Sequence, residues 1–177
     1  MTLEEIKQLR AYTWYDGIYL TVFWVASFAC FIGCMRSDAQ HGQLFLSGCS
    51  FLAALTPFFV GHRLKKYRNE GLSGHLTYSR GLTYCLRVFT NATVLFALCQ
   101  FLYMEFLDRG LFQRFMTMTL SDATTQEVLK QVGMPPSIML EAVNATTPVS
   151  FATSHLVDNL IIGVVLSILI PLFLKKK

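Results

Sequence analysis

The sequence predicts an all-α integral membrane protein, a four-helix bundle with short extracytoplasmic helices between spans 3 and 4. Four apolar stretches carry this prediction, covering roughly residues 13–34, 43–61, 84–107 and 157–174. A helix rises about 1.5 Å per residue, so about 20 apolar residues cross a hydrocarbon core of about 30 Å. Hydrophobic residues make up 53% of the 177-residue chain, and their concentration in four blocks is atypical of a soluble domain.

The first span follows a polar, partly acidic segment containing Glu4 and Glu5 and shows no clear cleavage site for a signal peptidase. We therefore expect this span to be retained. We also expect residues 1–177 to form a single membrane domain.

Basic residues predict the orientation of the four spans. Lys7 and Arg10 precede span 1, a basic loop at 62–81 joins spans 2 and 3, and Lys175–Lys177 follow span 4. By the positive-inside rule, both termini and this loop face the cytoplasm. The basic residues border membrane segments and form no continuous groove, so membrane lipids are expected partners and nucleic acid is not.

Spans 1, 2 and 4 each contain two small residues one helical turn apart, a pattern that lets a neighbouring helix approach closely. The pairs are Ala29 with Gly33, Ser50 with Ala54, and Gly163 with Ser167. Pro57 and Pro171 lie near the ends of spans 2 and 4, where we expect them to bend or end the helix.

The segment 108–156 is predicted to hold three short helices outside the cytoplasm. An apolar stripe starting at Leu111 begins the first helix. A capping box from Thr124 to Glu127 begins the second, which ends at Gly133. After the two prolines, Ser137 is expected to cap the third helix.

Polar residues within or beside the spans are the best candidate sites, because charge in hydrocarbon is costly. Asp16 and Arg87 fall at similar predicted depth on spans 1 and 3, with Asn91 one turn deeper. They are expected to pair as a structural ion pair or to snorkel to the interface. A second group lies at the opposite ends of spans 3 and 4, where a proton or cation site competes with simple capping; it comprises Glu105, Asp108, His155, Asp158 and Asn159.

Catalytic and metal-binding patterns are absent from the sequence. It has no glycine-rich phosphate loop and no H-E-x-x-H or G-x-S-x-G motif. The five cysteines fall in or at the edges of spans without a completing histidine set, so we expect apolar packing for them. We predict no cofactor, no metal and no catalytic residue.

Three segments resemble a known family. They are Lys66-Tyr67-Arg68-Asn69-Glu70, Tyr103-Met104-Glu105-Phe106-Leu107-Asp108 and Val132-Gly133-Met134, followed by the lysine tail. In this order they are similar to the bacterial four-span proteins catalogued as domain of unknown function 4199. The resemblance covers about residues 60–177, whereas the first two spans agree in hydropathy alone. Arg109 stands where the family usually has proline, and Ser73 replaces one glycine of a pair.

The resemblance implies a bacterial inner-membrane setting but no activity. Genes of this family often lie beside one for a membrane-linked glycosyltransferase, which makes such an enzyme a candidate partner. The first hypothesis is therefore a non-catalytic accessory or scaffold subunit that assists an enzyme of lipid-linked sugar metabolism. Its basic loop would hold a lipid phosphate or an acidic partner surface through Arg63, Lys65, Lys66 and Arg68.

Two alternatives stay open. In the second hypothesis the chain is a small-solute or lipid transporter or flippase that works as a homo-oligomer, with Asp16, Arg87 and Asp158 lining a wet cavity. In the third, a membrane enzyme, the outer residues Glu105, Asp108, His155 and Asp158 would converge on an acid–base or metal site.

Overall fold

The computed structural model describes residues 3–174, including every side chain in this range except those of residues 39 and 40. This part of the chain forms seven helices and no strand. The predicted lysine tail, 175–177, lies outside the described residues. The helices are α1 (Leu3–Arg36), α2 (Ala39–Gly71), α3 (Tyr78–Phe106), α4 (Leu111–Ser121), α5 (Ala123–Gln131), α6 (Pro136–Asn144) and α7 (Pro148–Leu174).

Four of these helices, α1, α2, α3 and α7, are long and apolar enough to cross a membrane. The predicted all-α membrane bundle is therefore confirmed, and the chain is a multi-pass membrane protein. The chain divides into two compact units. Unit 1 is Met1–Cys99 with Ser154–Lys177, and unit 2 is Gln100–Thr153.

The helices of unit 1 are held together by aromatic packing and by hydrogen bonds between helices. The Trp24 ring meets Phe96 in an edge-to-face arrangement with the ring centroids 5.6 Å apart. Its indole N–H donates to Thr56 Oγ1 at 3.1 Å, which joins α1 to α2. Thr21 Oγ1 donates to the Ala92 carbonyl at 3.3 Å and joins α1 to α3. Polar pairs of this kind supply attraction that the hydrophobic effect does not provide in lipid.

Glycines set the closest approaches between these helices. A Cβ built on Gly17 would lie 2.8 Å from Asn91 Cβ, and one on Gly163 would lie 2.9 Å from Phe89 Cβ. A Cβ built on Gly81 would lie 2.9 Å from Pro171 Cβ. The backbones of α1, α3 and α7 therefore approach to a distance that no larger residue allows.

The predicted small-residue pairs have mixed outcomes. Gly163 and Ser167 are buried, as expected, whereas Ser50 and Ala54 are exposed. This part of α2 contacts α1 through Cys49 and Thr56, on a different face from Ser50 and Ala54, so the prediction for this pair was wrong. Neither proline ends its helix, because α2 continues from Pro57 to Gly71 and α7 from Pro171 to Leu174.

The segment 62–81, predicted as a loop, is helical over its first half. Helix α2 runs to Gly71 and holds four of the five basic residues of this segment, namely Arg63, Lys65, Lys66 and Arg68, and a short turn then leads to α3. In this turn Ser73 has a φ of 50° and Gly74 a φ of 88°. Thr77 Oγ1 accepts from the Arg80 N–H and caps the start of α3. These four basic residues therefore lie on one continuous helix.

Unit 2 contains the three predicted short helices, with different caps. Asp122, which accepts from the N–H groups of Thr124 and Thr125, begins α5, so the predicted capping box was wrong. Pro135, which has no capping side chain, precedes α6 in place of the predicted Ser137. Gly133, with a φ of 72°, follows the end of α5 as predicted. The Phe112 and Phe151 rings pack edge to face within this unit.

Candidate functional site

A buried carboxylate lies near one end of the unit 1 bundle. Asp16 on α1 is 1% exposed. Its Oδ1 accepts from Nε of Arg63 on α2 at 2.6 Å and also contacts Arg63 Nη2. Its Oδ2 accepts from the hydroxyl of Tyr84 on α3. Three helices thus meet at one carboxylate, and each of its oxygens has a charged or polar donor.

Tyrosine rings surround this ion pair. Tyr84 stacks on Tyr67 of α2 with the ring centroids 4.9 Å apart, and Tyr67 in turn contacts Tyr12 of α1 at 5.1 Å. The Arg63 guanidinium lies 4.9 Å from the centroid of the Tyr19 ring, in cation–π geometry. The rings shield the ion pair from solvent and strengthen its attraction.

Two further polar contacts tie helices together at the same end. Arg80 on α3 forms an ion pair with Glu5 on α1 at 3.0 Å. Arg68 Nη1 on α2 donates to the Leu174 carbonyl on α7 at 3.2 Å. We call this end of unit 1 the basic end; it holds the N-terminal part of α1, the C-terminal parts of α2 and α7, and the start of α3.

The predicted pairing of Asp16 with Arg87 was wrong, because Asp16 is paired with Arg63. The prediction placed Arg63 in a loop beyond span 2. The helix in fact continues through it and brings its guanidinium to the depth of Asp16.

The four basic residues predicted to form one binding surface lie on two faces of α2. Arg63 and Arg68 turn into the bundle and are half-buried, whereas Lys65 and Lys66 are exposed. The exposed side continues with His62 one turn before and with Asn69 one turn after. We call His62, Lys65, Lys66 and Asn69 the outer face of α2.

Arg87 and Asn91 line an open cleft between α1 and α3 at the basic end. The cleft has a volume of about 880 Å³. At the bottom of the cleft, Asn91 Nδ2 on α3 donates to the Thr13 carbonyl on α1 at 3.2 Å. This hydrogen bond joins the two helices near their closest approach. The lining residues are Ile6, Lys7, Arg10, Ala11, Thr13, Trp14, Tyr15, Arg87 and Asn91.

The remaining predicted residues fall in both units. In unit 2, Glu105 is exposed, and Asp108 is buried and accepts from the Phe112 N–H at 3.2 Å, which caps α4. In unit 1, Asp158 is exposed, and His155 and Asn159 are half-buried on α7. Among the residues that the structure describes, no group of three His, Cys, Asp or Glu side chains could hold a metal ion. All five cysteines are free.

Sequence reasoning missed the tyrosines around the ion pair and the contribution of Lys7 and Arg10 to the cleft. The missed signal for the cleft was helical spacing. Lys7, Arg10 and Trp14 fall at i, i+3 and i+7 on one face of α1. This helix begins at Leu3, ten residues before the predicted span.

Comparison with known proteins agrees with this architecture. The family model described as "Protein of unknown function (DUF4199)" matches residues 15–176. The match extends over the first two spans, for which the sequence alone resembled the family only in hydropathy. No curated protein and no solved structure matches the chain significantly. The predicted resemblance is confirmed, and the chain belongs to the DUF4199 family.

Proposed function

We propose that this chain is a non-catalytic accessory or scaffold subunit of the bacterial inner membrane, with both termini and the basic end in the cytoplasm. The observation that carries the proposal is the division of α2 into two faces. Arg63 holds the inner face to Asp16, while Lys65 and Lys66 stand exposed on the outer face. A helix that presents two neighbouring lysines on one face, and is bonded to other helices through the opposite face, is suited to docking a partner.

The fixed geometry of the basic end supports a scaffold role. Contacts from the inner face of α2 reach α1, α3 and α7, through Arg63, Tyr67 and Arg68. A docking helix held in this way loses little conformational freedom when a partner binds, and pre-organisation of this kind favours affinity.

The same contacts favour this proposal over transport. The transport hypothesis requires Asp16 to line a wet cavity. Asp16 is 1% exposed, and both of its oxygens already accept hydrogen bonds from Arg63 and Tyr84. A transport cycle that hydrates this carboxylate would have to break a buried ion pair, which costs about 3–5 kcal/mol when one partner is left unpaired.

Asp108 is the most buried of the predicted outer carboxylates, and helix capping explains its position. Asp108 receives the N–H of Phe112 at the start of α4, a role that needs no substrate. The membrane-enzyme hypothesis is therefore ranked last.

The partner that we propose is a membrane-associated enzyme of lipid-linked sugar metabolism, such as a glycosyltransferase, with an acidic surface that meets the outer face of α2. Lys66 Nζ lies 3.9 Å from Glu70 Oε1. This is an exposed i, i+4 ion pair, and such pairs contribute little to stability. Both ammonium groups can therefore pair with carboxylates of a partner. The association is expected to weaken as salt concentration rises.

Gentle extraction of the tagged chain from its native membrane, followed by identification of proteins retained in fixed ratio, tests the proposal. We expect one stoichiometric enzyme partner, which is lost in the double variant Lys65→Glu/Lys66→Glu. The matched control is Arg114→Glu/Lys130→Glu, which reverses two exposed cations in unit 2. Retention of the partner by the Lys65/Lys66 variant, or recovery of a homo-oligomer alone, would contradict the proposal.

A further inference from the structure

The cleft between α1 and α3 carries positive charge without a balancing carboxylate. Lys7, Arg10 and Arg87 line it, and none of its nine lining residues is acidic. Two buried or half-buried cations elsewhere at the basic end do have carboxylate partners, since Arg63 pairs with Asp16 and Arg80 with Glu5. Three unbalanced cations around one concave surface attract an anion.

The polar groups in the cleft suit phosphate oxygens. Two guanidinium groups offer planar, forked donors that match phosphate geometry, and the ammonium of Lys7 adds a point charge. The amide of Asn91 gives one N–H to the Thr13 carbonyl at 3.2 Å. The same nitrogen carries a second N–H that an anion can accept.

The surface beyond the cleft is apolar. On α3, Val94 and Leu98 are exposed at i+3 and i+7 from Asn91. On α1, Ile18 and Val22 are exposed at i+4 and i+8 from Trp14. At 1.5 Å per residue, these stripes extend about 10 Å beyond the polar groups toward the middle of the helices.

Two aromatic side chains mark the boundary between the charged and the apolar surfaces. Trp14 and Tyr15 are 50% and 63% exposed and line the cleft. Amphipathic rings in such positions lie at the level of lipid headgroups. A free phosphate would use the cations alone, whereas a lipid would use the cations, the rings and the apolar stripes.

We propose that this cleft is a binding site for an anionic phospholipid, whose phosphate lies among Lys7, Arg10 and Arg87 and whose acyl chains follow the apolar stripes of α1 and α3. The proposal does not depend on the accessory role, because it needs no protein partner. The site would hold a specific lipid at the basic end, beside the buried ion pair.

Trp14 provides the reporter for the test. The chain has two tryptophans, and a Trp24→Phe background leaves Trp14 as the only one. This protein is placed in phosphatidylcholine nanodiscs with a minor fraction of acyl-brominated lipid, either phosphatidylglycerol or phosphatidylcholine. Quenching of Trp14 fluorescence reports which lipid occupies the cleft, and native mass spectrometry of the unsubstituted chain counts the retained phosphatidylglycerol.

The expected result is stronger quenching by brominated phosphatidylglycerol than by brominated phosphatidylcholine. A basic residue near an anionic surface contributes about fivefold, so Lys7→Gln/Arg10→Gln/Arg87→Gln should lower the preference by up to about 100-fold. The control triple is Arg36→Gln/Lys65→Gln/Lys66→Gln, which removes equal charge from exposed positions outside the cleft and should keep the preference.

Three results would overturn the proposal. The first is equal quenching by both lipids in the parent protein. The second is an equal loss of preference in the control triple, which would indicate general surface attraction. The third is displacement of the lipid by inorganic phosphate alone, which would indicate an anion site without a role for the acyl chains. Circular dichroism of each variant checks that the helices are intact.

Discussion

The buried ion pair allows a direct test by a double-mutant cycle. Each of Asp16→Asn and Arg63→Gln removes one charge; the first keeps side-chain size, and the second shortens the side chain but keeps a polar end. In the folded chain, Asp16 accepts from two nitrogens of Arg63 and from the Tyr84 hydroxyl, and its side chain is 2% exposed. An asparagine there offers one oxygen and one NH₂, so it must turn the NH₂ toward a donor.

The magnitude follows from the burial of the two partners. A hydrogen bond to a charged group contributes about 1.5–3 kcal/mol, and polar pairs in membrane bundles reach about 1.7 kcal/mol in measured cycles. The Arg63 side chain is 21% exposed and retains some solvent screening. We therefore expect each single variant to lose about 3 kcal/mol of unfolding free energy, the lower end of the cost of breaking a buried pair, with a coupling of about 1.5 kcal/mol.

The assay is reversible unfolding in mixed micelles with increasing dodecyl sulfate, followed by circular dichroism. The comparison cycle is Asp16→Asn with Arg87→Gln, which removes a cation from the cleft in place of Arg63. We expect this second cycle to be additive within about 0.5 kcal/mol. Coupling of Asp16 to Arg87 that equals or exceeds its coupling to Arg63 would refute the assignment of the pair.

Three further predictions concern backbone and capping. Gly17→Leu should destabilise unit 1 by more than about 2 kcal/mol in the same unfolding assay, because the new Cβ would lie 2.8 Å from Asn91 Cβ. Unchanged stability would contradict the close approach of α1 and α3. Ser73→Gly should stabilise the chain by about 0.5–1 kcal/mol, since φ is 50° there, and a loss of stability would show that the turn does not adopt this conformation. Asp122→Ala should speed amide exchange in α5 by about fivefold, corresponding to about 1 kcal/mol for a lost N-cap, with α7 as the unaffected reference.

Hydropathy alone was sufficient to predict the four long helices, because a bilayer demands runs of apolar residues of a certain length. It was a poor guide to where those helices end. Lys65 and Lys66 are hydrophilic but good helix formers, so α2 continues past the apolar run without a change in local preference. The same error hid the helical start of α1, and with it Lys7 and Arg10 in the cleft.

The ion pair was missed for a related reason. Depth was judged from the ends of the apolar runs, which placed Arg87 within a span and Arg63 outside one. A long arginine side chain on a continuous helix reaches inward to a buried carboxylate, and the tyrosines that accompany it shield its charge. Sequence spacing contains no information about which of two cations faces Asp16, because that choice depends on helix rotation and packing.

Site-specific photo-crosslinking in the native membrane tests the accessory role most directly. A photoreactive amino acid replaces Lys66 on the outer face of α2, and the same residue replaces Lys130 in unit 2 as a control, since both side chains are exposed. We predict one discrete crosslinked enzyme from position 66 and none of that mass from position 130. Crosslinks from position 66 to lipid alone, or to a second copy of this chain, would contradict the accessory role and favour the transport hypothesis.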